Sequence, residues 1–346
     1  MAARLTLTRS QILAFRRRAG SLDERLPWSP ESLRVAACAG LQDSMPRAAL
    51  LSIHARLRDT RSNALDDTFF VKNWGVQVWG PRFSVYVVDA RDHAFFTLGR
   101  SPDDEKARRR ALELAERLDA LLDGGAMLHG EAERALGLVS NQLRHATTTG
   151  RVLIEWDGAR QPTVRTVPAP AMQPEEARRE LVRRYLHVYG PSTPTAFSEW
   201  AGIRNPTKSG SAAFDLLGNS LTPVRTPIGD AWILSEDEPA FLAGETSPAP
   251  ARLLPSGDAY YLLQGEQREL LVPDAALRDR LWTPRVWPGA VLVAGEIAGT
   301  WRRAGHTLTI SPWRRLAAAE RNAVEEEAAA LPLPGIDREI VTRWEE

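Results

Sequence analysis

Residues 40–57 read GLQDSMPRAALLSIHARL, and the run Gln42, Asp43, Ser44 holds the side chains in it best suited to chemistry. A carboxamide accepts one hydrogen bond and donates another, so Gln42 can hold a water in a fixed place. A carboxylate at Asp43 would add negative charge and could act as a base if the backbone turned it toward the same water, because neighbours on an extended or helical backbone point different ways. Ser44 can orient a water but is a poor base without a histidine, and His54 lies ten positions on. The same residues have a structural reading, in which Asp43 or Ser44 caps a helix beginning near Pro46 and Gln42 is a polar loop side chain. Either way, the run stands at a helix entrance.

Other chemistries lack their residues. There is no HExxH and no Gly-rich phosphate loop with its lysine, and the six histidines (54, 93, 129, 145, 187, 306) show no metal-ligand spacing. No cofactor is expected. Cys38 is the single cysteine, so no intrachain disulfide can form, which fits a reducing cytoplasm. No apolar run approaches the roughly 18 residues that span a bilayer, and residues 1–20 lack the apolar core of a signal peptide. No membrane contact and a cytoplasmic location are therefore expected.

A chain of 346 residues, 43% hydrophobic and 25% charged, reads as soluble and globular with several domains. Its formal net charge of zero argues against a uniformly basic nucleic-acid binder. The charge is unevenly placed, however: residues 1–62 hold 11 arginines against five acids, so the remainder is equally negative. That asymmetry suits either an end offered to a polyanion or a solvated arginine face.

The elements that must position the triplet can be read from local signals. Thr8 and Gln11 form a capping box for a first helix, and Ser29-Pro30-Glu31 opens a second. Ala48, Leu51 and Ala55, continued by the stem of Arg58, recur at helical spacing in a third. VQVWGPRFSVYVV then alternates with period two across Gly80-Pro81, a hairpin. Three helices and a hairpin is the layout of a winged helix.

The order recurs. Residues 101–105 open a helix carrying Leu112, Ala115, Leu118 and Leu122 along one side, and RVLIEWDGARQPTVRTV supplies two strands about Asp157-Gly158. A Pro-rich joint precedes a third set, with a helix over 174–189, two shorter helices and the strands LTPVRT and DAWILS. After residue 245, short strands and a helix over 316–330 suggest a small β-barrel or sheet with a helix. The expected division is 1–100, 101–170, 171–245 and 246–346.

These stretches resemble a known family. GLQDSMPRAALLSIHARL with VWGPR, RYLHVYGPSTPTAFSEWAGI, and LLPSGDAYYLL with PGAVLVAGEIAGTWRR are similar to the winged-helix DNA-binding superfamily that includes bacterial alkylpurine and interstrand-crosslink DNA glycosylases. The resemblance covers most of the chain in order. It implies an α+β fold of three tandem winged-helix units in a C-shaped arrangement, followed by a C-terminal β-barrel or sheet and a helix. The family's catalytic motif is glutamine, an aliphatic residue, then glutamine or aspartate. Here it falls on Gln42, Asp43 and Ser44, with the first residue kept, an acid in the middle and a serine third.

The implied activity is hydrolysis of the N-glycosidic bond of bulky or cationic alkylpurines in duplex DNA, in repair or genotoxin resistance. The alternative is a non-catalytic DNA-binding protein, for damage recognition or transcriptional regulation, because the third motif residue is Ser44. Arg47 and Arg56 stand where a nucleic-acid binder would touch phosphate, with surface arginine the plain alternative for either, and Arg82 could enter a minor groove as a wing residue or simply finish the turn. Double-stranded DNA is the expected partner. Three tandem units remove the need for a second copy, so a monomer is expected.

Overall fold

The computed structural model describes residues 5–45, 47–66, 71–158, 160–244, 249–336 and 338–345. Pro46, expected to open the third helix, lies outside the described residues, as do Ala159 of the second hairpin and residues 245–248 of the loop before the C-terminal part.

After β1 (Leu5–Thr6), the Thr8 hydroxyl accepts from the Gln11 amide at 3.3 Å and Gln11 Oε1 accepts from the Thr8 amide at 2.9 Å, closing the capping box of α1 (Arg9–Ala19). Ser29 caps α2 (Pro30–Ala36), where Pro30 has no N–H to leave unpaired. β2 (Leu41–Gln42) leads to α3 (Ala48–His54), which is buried throughout and ends before Arg58, an exposed residue paired with Glu24. β3 (Gly75–Trp79) and β4 (Val85–Asp89) make the expected hairpin across Pro81–Phe83, and α4 (His93–Thr97) follows.

Asp104 caps α5 (Glu105–Leu122), whose buried stripe is Ala111, Ala115, Leu118 and Leu122. Leu112, expected on that side, is 44% exposed; a stripe that starts at Ala111 leaves its neighbour about 100° round the axis. Next come β5 (Ala126–Leu128), α6 (His129–Ala135), β6 (Val152–Glu155) and β7 (Thr163–Thr166). The third set is α7 (Pro174–Tyr189), α8 (Pro194–Ala201), α9 (Pro206–Asp215), β8 (Leu221–Thr226), β9 (Gly229–Leu234) and α10 (Glu238–Leu242). The last part comprises β10 (Arg252–Leu254), α11 (Gln267–Leu271), α12 (Ala275–Leu281), β11 (Gly289–Val293), β12 (Glu296–Ala304), β13 (Thr307–Pro312), α13 (Ala318–Ala329) and β14 (Val341–Trp344).

The fold is mixed α+β, with three sheets among the described residues. A six-stranded sheet runs β2-β4-β3-β6-β7-β5, so the hairpin of the first part continues into that of the second through the pair Gln77 and Ile154. β1 adds in parallel to β8 beside β9, which ties the N-terminus to the third part. The C-terminal sheet is open, in the order β10-β11-β12-β13-β14, and closes no barrel. No helix of the described residues is long and apolar enough to cross a membrane.

The largest core joins Val78 and Tyr86 of the hairpin to Tyr185 and Tyr189 of α7, Trp200 of α8, and Tyr261 and Leu292 from the C-terminal part. Burying several large aromatics in one place, each worth roughly 1.5–3 kcal/mol or more, couples the parts that carry β2 and its surroundings.

Candidate functional site

The triplet sits where β2 ends. The Asp43 amide donates to the Val85 carbonyl at 2.8 Å, so the extended backbone continues one residue past the strand. Successive side chains on extended backbone alternate. Leu41 and Asp43 are each 1% exposed, while Gln42 faces the other way and is partly open.

Asp43 is held from two sides. Its Oδ1 accepts from the Ala49 amide in the first turn of α3 at 3.0 Å, and its Oδ2 accepts from Gln77 Nε2 at 3.1 Å. Gln77 is itself anchored, donating to the Trp156 carbonyl at 3.1 Å and accepting from the Trp156 amide at 2.6 Å. Arg47, the residue before α3, has φ 62° and gives the helix no side-chain cap, so Asp43 performs that task through space. The structural reading of Asp43 as a helix cap is thus realised, for a helix that begins at Ala48.

Burial pushes the Asp43 carboxyl up to about 7, against the Ala49 amide, Arg47 and Gln77, which favour the charged form. A carboxyl whose pKa is raised by folding binds its proton more tightly when folded. The stability this gives is complete below about pH 4 and is lost as pH rises to about 7. Asp43→Asn keeps an acceptor for the Ala49 amide and cannot ionise. The melting temperature of the variant relative to wild type is therefore expected to rise across that interval, and a difference that does not change with pH would contradict it.

Gln42 points to a different neighbour. Its Nε2 donates to Ser44 Oγ at 3.1 Å, while its Oε1 is buried and has no donor among the described residues. Beside it lies Gly257, whose φ of +79° favours glycine; a Cβ there would sit 3.2 Å from Gln42 Cδ and Oε1, close enough that the amide would have to give by a few tenths of an ångström.

Gly257 is fixed by its successor. Asp258 accepts from Arg56 Nη1 at 2.7 Å and Nη2 at 2.9 Å, from Ser52 Oγ at 2.6 Å and from the Tyr260 amide at 2.9 Å. Burial alone would raise its pKa, but Arg56, Ser52 and the Tyr260 amide together bring it below the usual carboxylate range. With Ser52 on α3 and Arg56 just past its end, this buried cluster joins α3 to the C-terminal part next to Gly257.

The expected residues therefore separate. Gln42 and Ser44 are together on the open side, and Asp43 is turned inward to α3. Arg56 is 2% exposed and engaged with Asp258. Arg47 pairs with Asp66 at 2.9 Å beside the entrance of α3. Arg82 has φ 54° on the hairpin turn and is partly exposed; its backbone lies so near Gly202 that a Cβ there would be 2.8 Å away. His54 is buried at the far end of α3 beside Arg25, away from Ser44.

The basic N-terminal stretch has a use that its charge did not reveal. Arg9 pairs with Glu296, Arg25 with Glu327, Arg34 with Asp92 and Arg56 with Asp258. Arg16 and Arg18 donate to carbonyls of residues 189–191, 240 and 244. Much of the positive excess is thus met by acids and carbonyls from later in the chain. The matching negative excess beyond residue 62 was the signal for this.

Gln77 was not singled out from sequence, although a glutamine inside an otherwise apolar strand marks a buried polar partner. Gly257 was hidden because its role depends on a contact between residues more than 200 positions apart.

The family described as DNA glycosylase AlkZ-like matches residues 35–332, a span that includes the triplet. An interstrand DNA cross-link repair glycosylase of Streptomyces sahachiroi is 28% identical over 246 residues. The match takes in 64% of this chain and 65% of that protein, slightly under two thirds of its length. The solved structure of the Streptomyces sahachiroi DNA glycosylase AlkZ is similar with a TM-score of 0.80, covering 99% of this chain and 100% of that one, at 19% identity. At that identity the likeness concerns the fold.

Proposed function

We propose a function from one premise: the chain belongs to the AlkZ-like DNA glycosylase family. It hydrolyses the N-glycosidic bond of bulky or cationic alkylpurines in duplex DNA, as a cytoplasmic monomer. The scaffold is three tandem winged-helix units, over 1–100, 101–170 and 171–245, set in a C shape with a β-rich part over 246–346. The recurrence of short helices followed by a hairpin supports that division.

The chemistry asks little of a general acid. An N7-alkylated purine is cationic and leaves as a neutral base, so the protein must place a water and stabilise positive charge developing on the sugar. Gln42 is the residue for the water. The observation that carries this is its Oε1, a buried acceptor with no donor among the described residues. Leaving such an acceptor unpaired costs about 1–3 kcal/mol, and a water held there would satisfy it. Ser44 holds the amide from its other end, and Asp43 acts as a positioning residue by fixing α3 and the end of β2.

The test is chemical identification of the product. Wild-type protein incubated with duplex DNA carrying N7-methylguanine is expected to release the free base. DNA retained with no base released would favour the non-catalytic binder instead.

Gly257→Ala probes the support of Gln42. The added methyl meets the amide at 3.2 Å and strains a backbone at φ +79°. Displacing a water-holding group by a fraction of an ångström is expected to slow base release roughly 10- to 100-fold with duplex affinity unchanged. An unaltered rate in single-turnover assays would remove Gly257 from the site.

A further inference from the structure

A cleft of about 840 Å³ lies between α5 and the turn joining α8 to α9, beside the hairpin turn that carries Phe83. It does not include Gln42. Its acids are engaged: Asp103 accepts from Arg178 and Ser209, Asp104 caps the Ala107 amide, and Glu113 faces Arg109 at 3.8 Å. Two of its four cations are not, whereas Arg117 donates to the Leu136 carbonyl at 2.6 Å and Arg100 is bonded to carbonyls behind the cleft. Arg110 and Arg204 line the cleft, are exposed, and donate to no carboxylate or carbonyl among the described residues.

Arg100 stands behind them, only 4% exposed. Its Nε donates to the Ala201 carbonyl at 2.7 Å and its Nη1 to the Trp79 carbonyl at 3.0 Å, and it stacks over the Phe83 ring at 4.7 Å. No carboxylate among the described residues bonds it. A buried guanidinium without a counter-charge is costly, and an anion brought to the cleft relieves that cost. The field is felt nearby: burial lowers the pKa of His145, and Arg204 and Arg100 lower it further. Leu114, Leu138 and Phe83 make an apolar patch in a wall that also carries Gln142, Thr148 and Asn205.

We propose that this cleft is a second DNA contact, distinct from Gln42, in which Arg110 and Arg204 hold a phosphodiester and the apolar patch receives the adjoining sugar and base. It rests on the reading that the chain binds DNA. The volume suits a nucleotide unit, since ligand sites run from roughly 300 to 1,000 Å³. An apolar patch beside unpaired cations matches a nucleotide better than a bare anion. Position also favours a continuous strand. Gln42 pairs with Tyr86 on β4, and Phe83 ends the same hairpin three residues away, on the order of 10 Å along the backbone. That is a few nucleotides of one strand, at about 3.4 Å each.

The test is equilibrium binding of duplex DNA to the full chain over a range of salt. The Arg110→Gln/Arg204→Gln variant is compared with wild type and with Arg303→Gln/Arg315→Gln, which removes two exposed arginines elsewhere. Both double variants substitute exposed side chains, so folding is not at risk. The cleft variant is expected to bind at least about tenfold more weakly near 0.1 M salt, with the slope of log affinity against log salt reduced by about one, for the one phosphodiester the two arginines hold. A loss no greater than that of the control pair would overturn the proposal. So would loss of inorganic phosphate binding in the cleft variant with DNA affinity unchanged, because the cleft would then take a free anion. Base release by wild type is scored separately: its absence defeats the glycosylase reading, while arginine-dependent binding stands or falls by itself.

Discussion

Arg56→Ala is expected to destabilise the chain by about 3–5 kcal/mol, the largest loss of any single substitution considered. The reason lies in what the substitution leaves behind. Asp258 is fully buried and takes two of its hydrogen bonds from the Arg56 guanidinium, at 2.7 and 2.9 Å. Without Arg56 it must either carry a charge in a low-dielectric interior or bind a proton that its remaining donors, Ser52 and the Tyr260 amide, disfavour. Replacing both partners, as in Arg56→Met/Asp258→Leu, removes the uncompensated charge and should recover much of the loss. Chemical denaturation of wild type, the single variant and the double variant checks this. A single variant as stable as wild type would show that the pair does not hold α3 to the C-terminal part.

Gln42→Ala is expected to reduce base release from N7-methylguanine duplex by about 100-fold while leaving the melting temperature nearly unchanged. Its amide is bonded to Ser44 and packed on Gly257, and no other described donor depends on its oxygen. Truncation therefore removes the proposed water-placing group without opening a network. Asp43 behaves in the opposite way. Its substitution acts on α3 and on Gln77, so its effects should appear in stability and its pH dependence before they appear in the chemical step. Measuring rate and stability on the same two variants separates the roles that adjacency in sequence obscures.

The helices and hairpins were legible because their signals are local. Thr8 with Gln11, Ser29 with Pro30, and alternation about Gly80-Pro81 each specify an element from a few neighbouring residues. The inward face of α5 was misjudged by one residue, since Ala111 and Leu112 are both apolar and only packing decides between them. The joins between parts were not legible. β1 pairs with β8 across more than 200 residues, and the first and second hairpins share a sheet through one residue pair. At the site, the helix entrance was read from Asp43 and the motif from Gln42, but their opposite orientations follow from strand alternation at a β2 too short to recognise. Arg56 looked like a phosphate contact because its partner, Asp258, is remote in sequence and adjacent only in space.

The bond between an alkylated purine and its sugar is proposed to be broken by this chain through Gln42. The direct measurement is a single-turnover time course on duplex DNA carrying one N7-methylguanine, with alkaline cleavage revealing abasic sites, for wild type and Gln42→Ala side by side. Strand breaks at the lesion are expected to accumulate with wild type and to form about 100-fold more slowly with Gln42→Ala. Breaks at equal rates with both proteins, or none with wild type while the duplex remains bound, would contradict it.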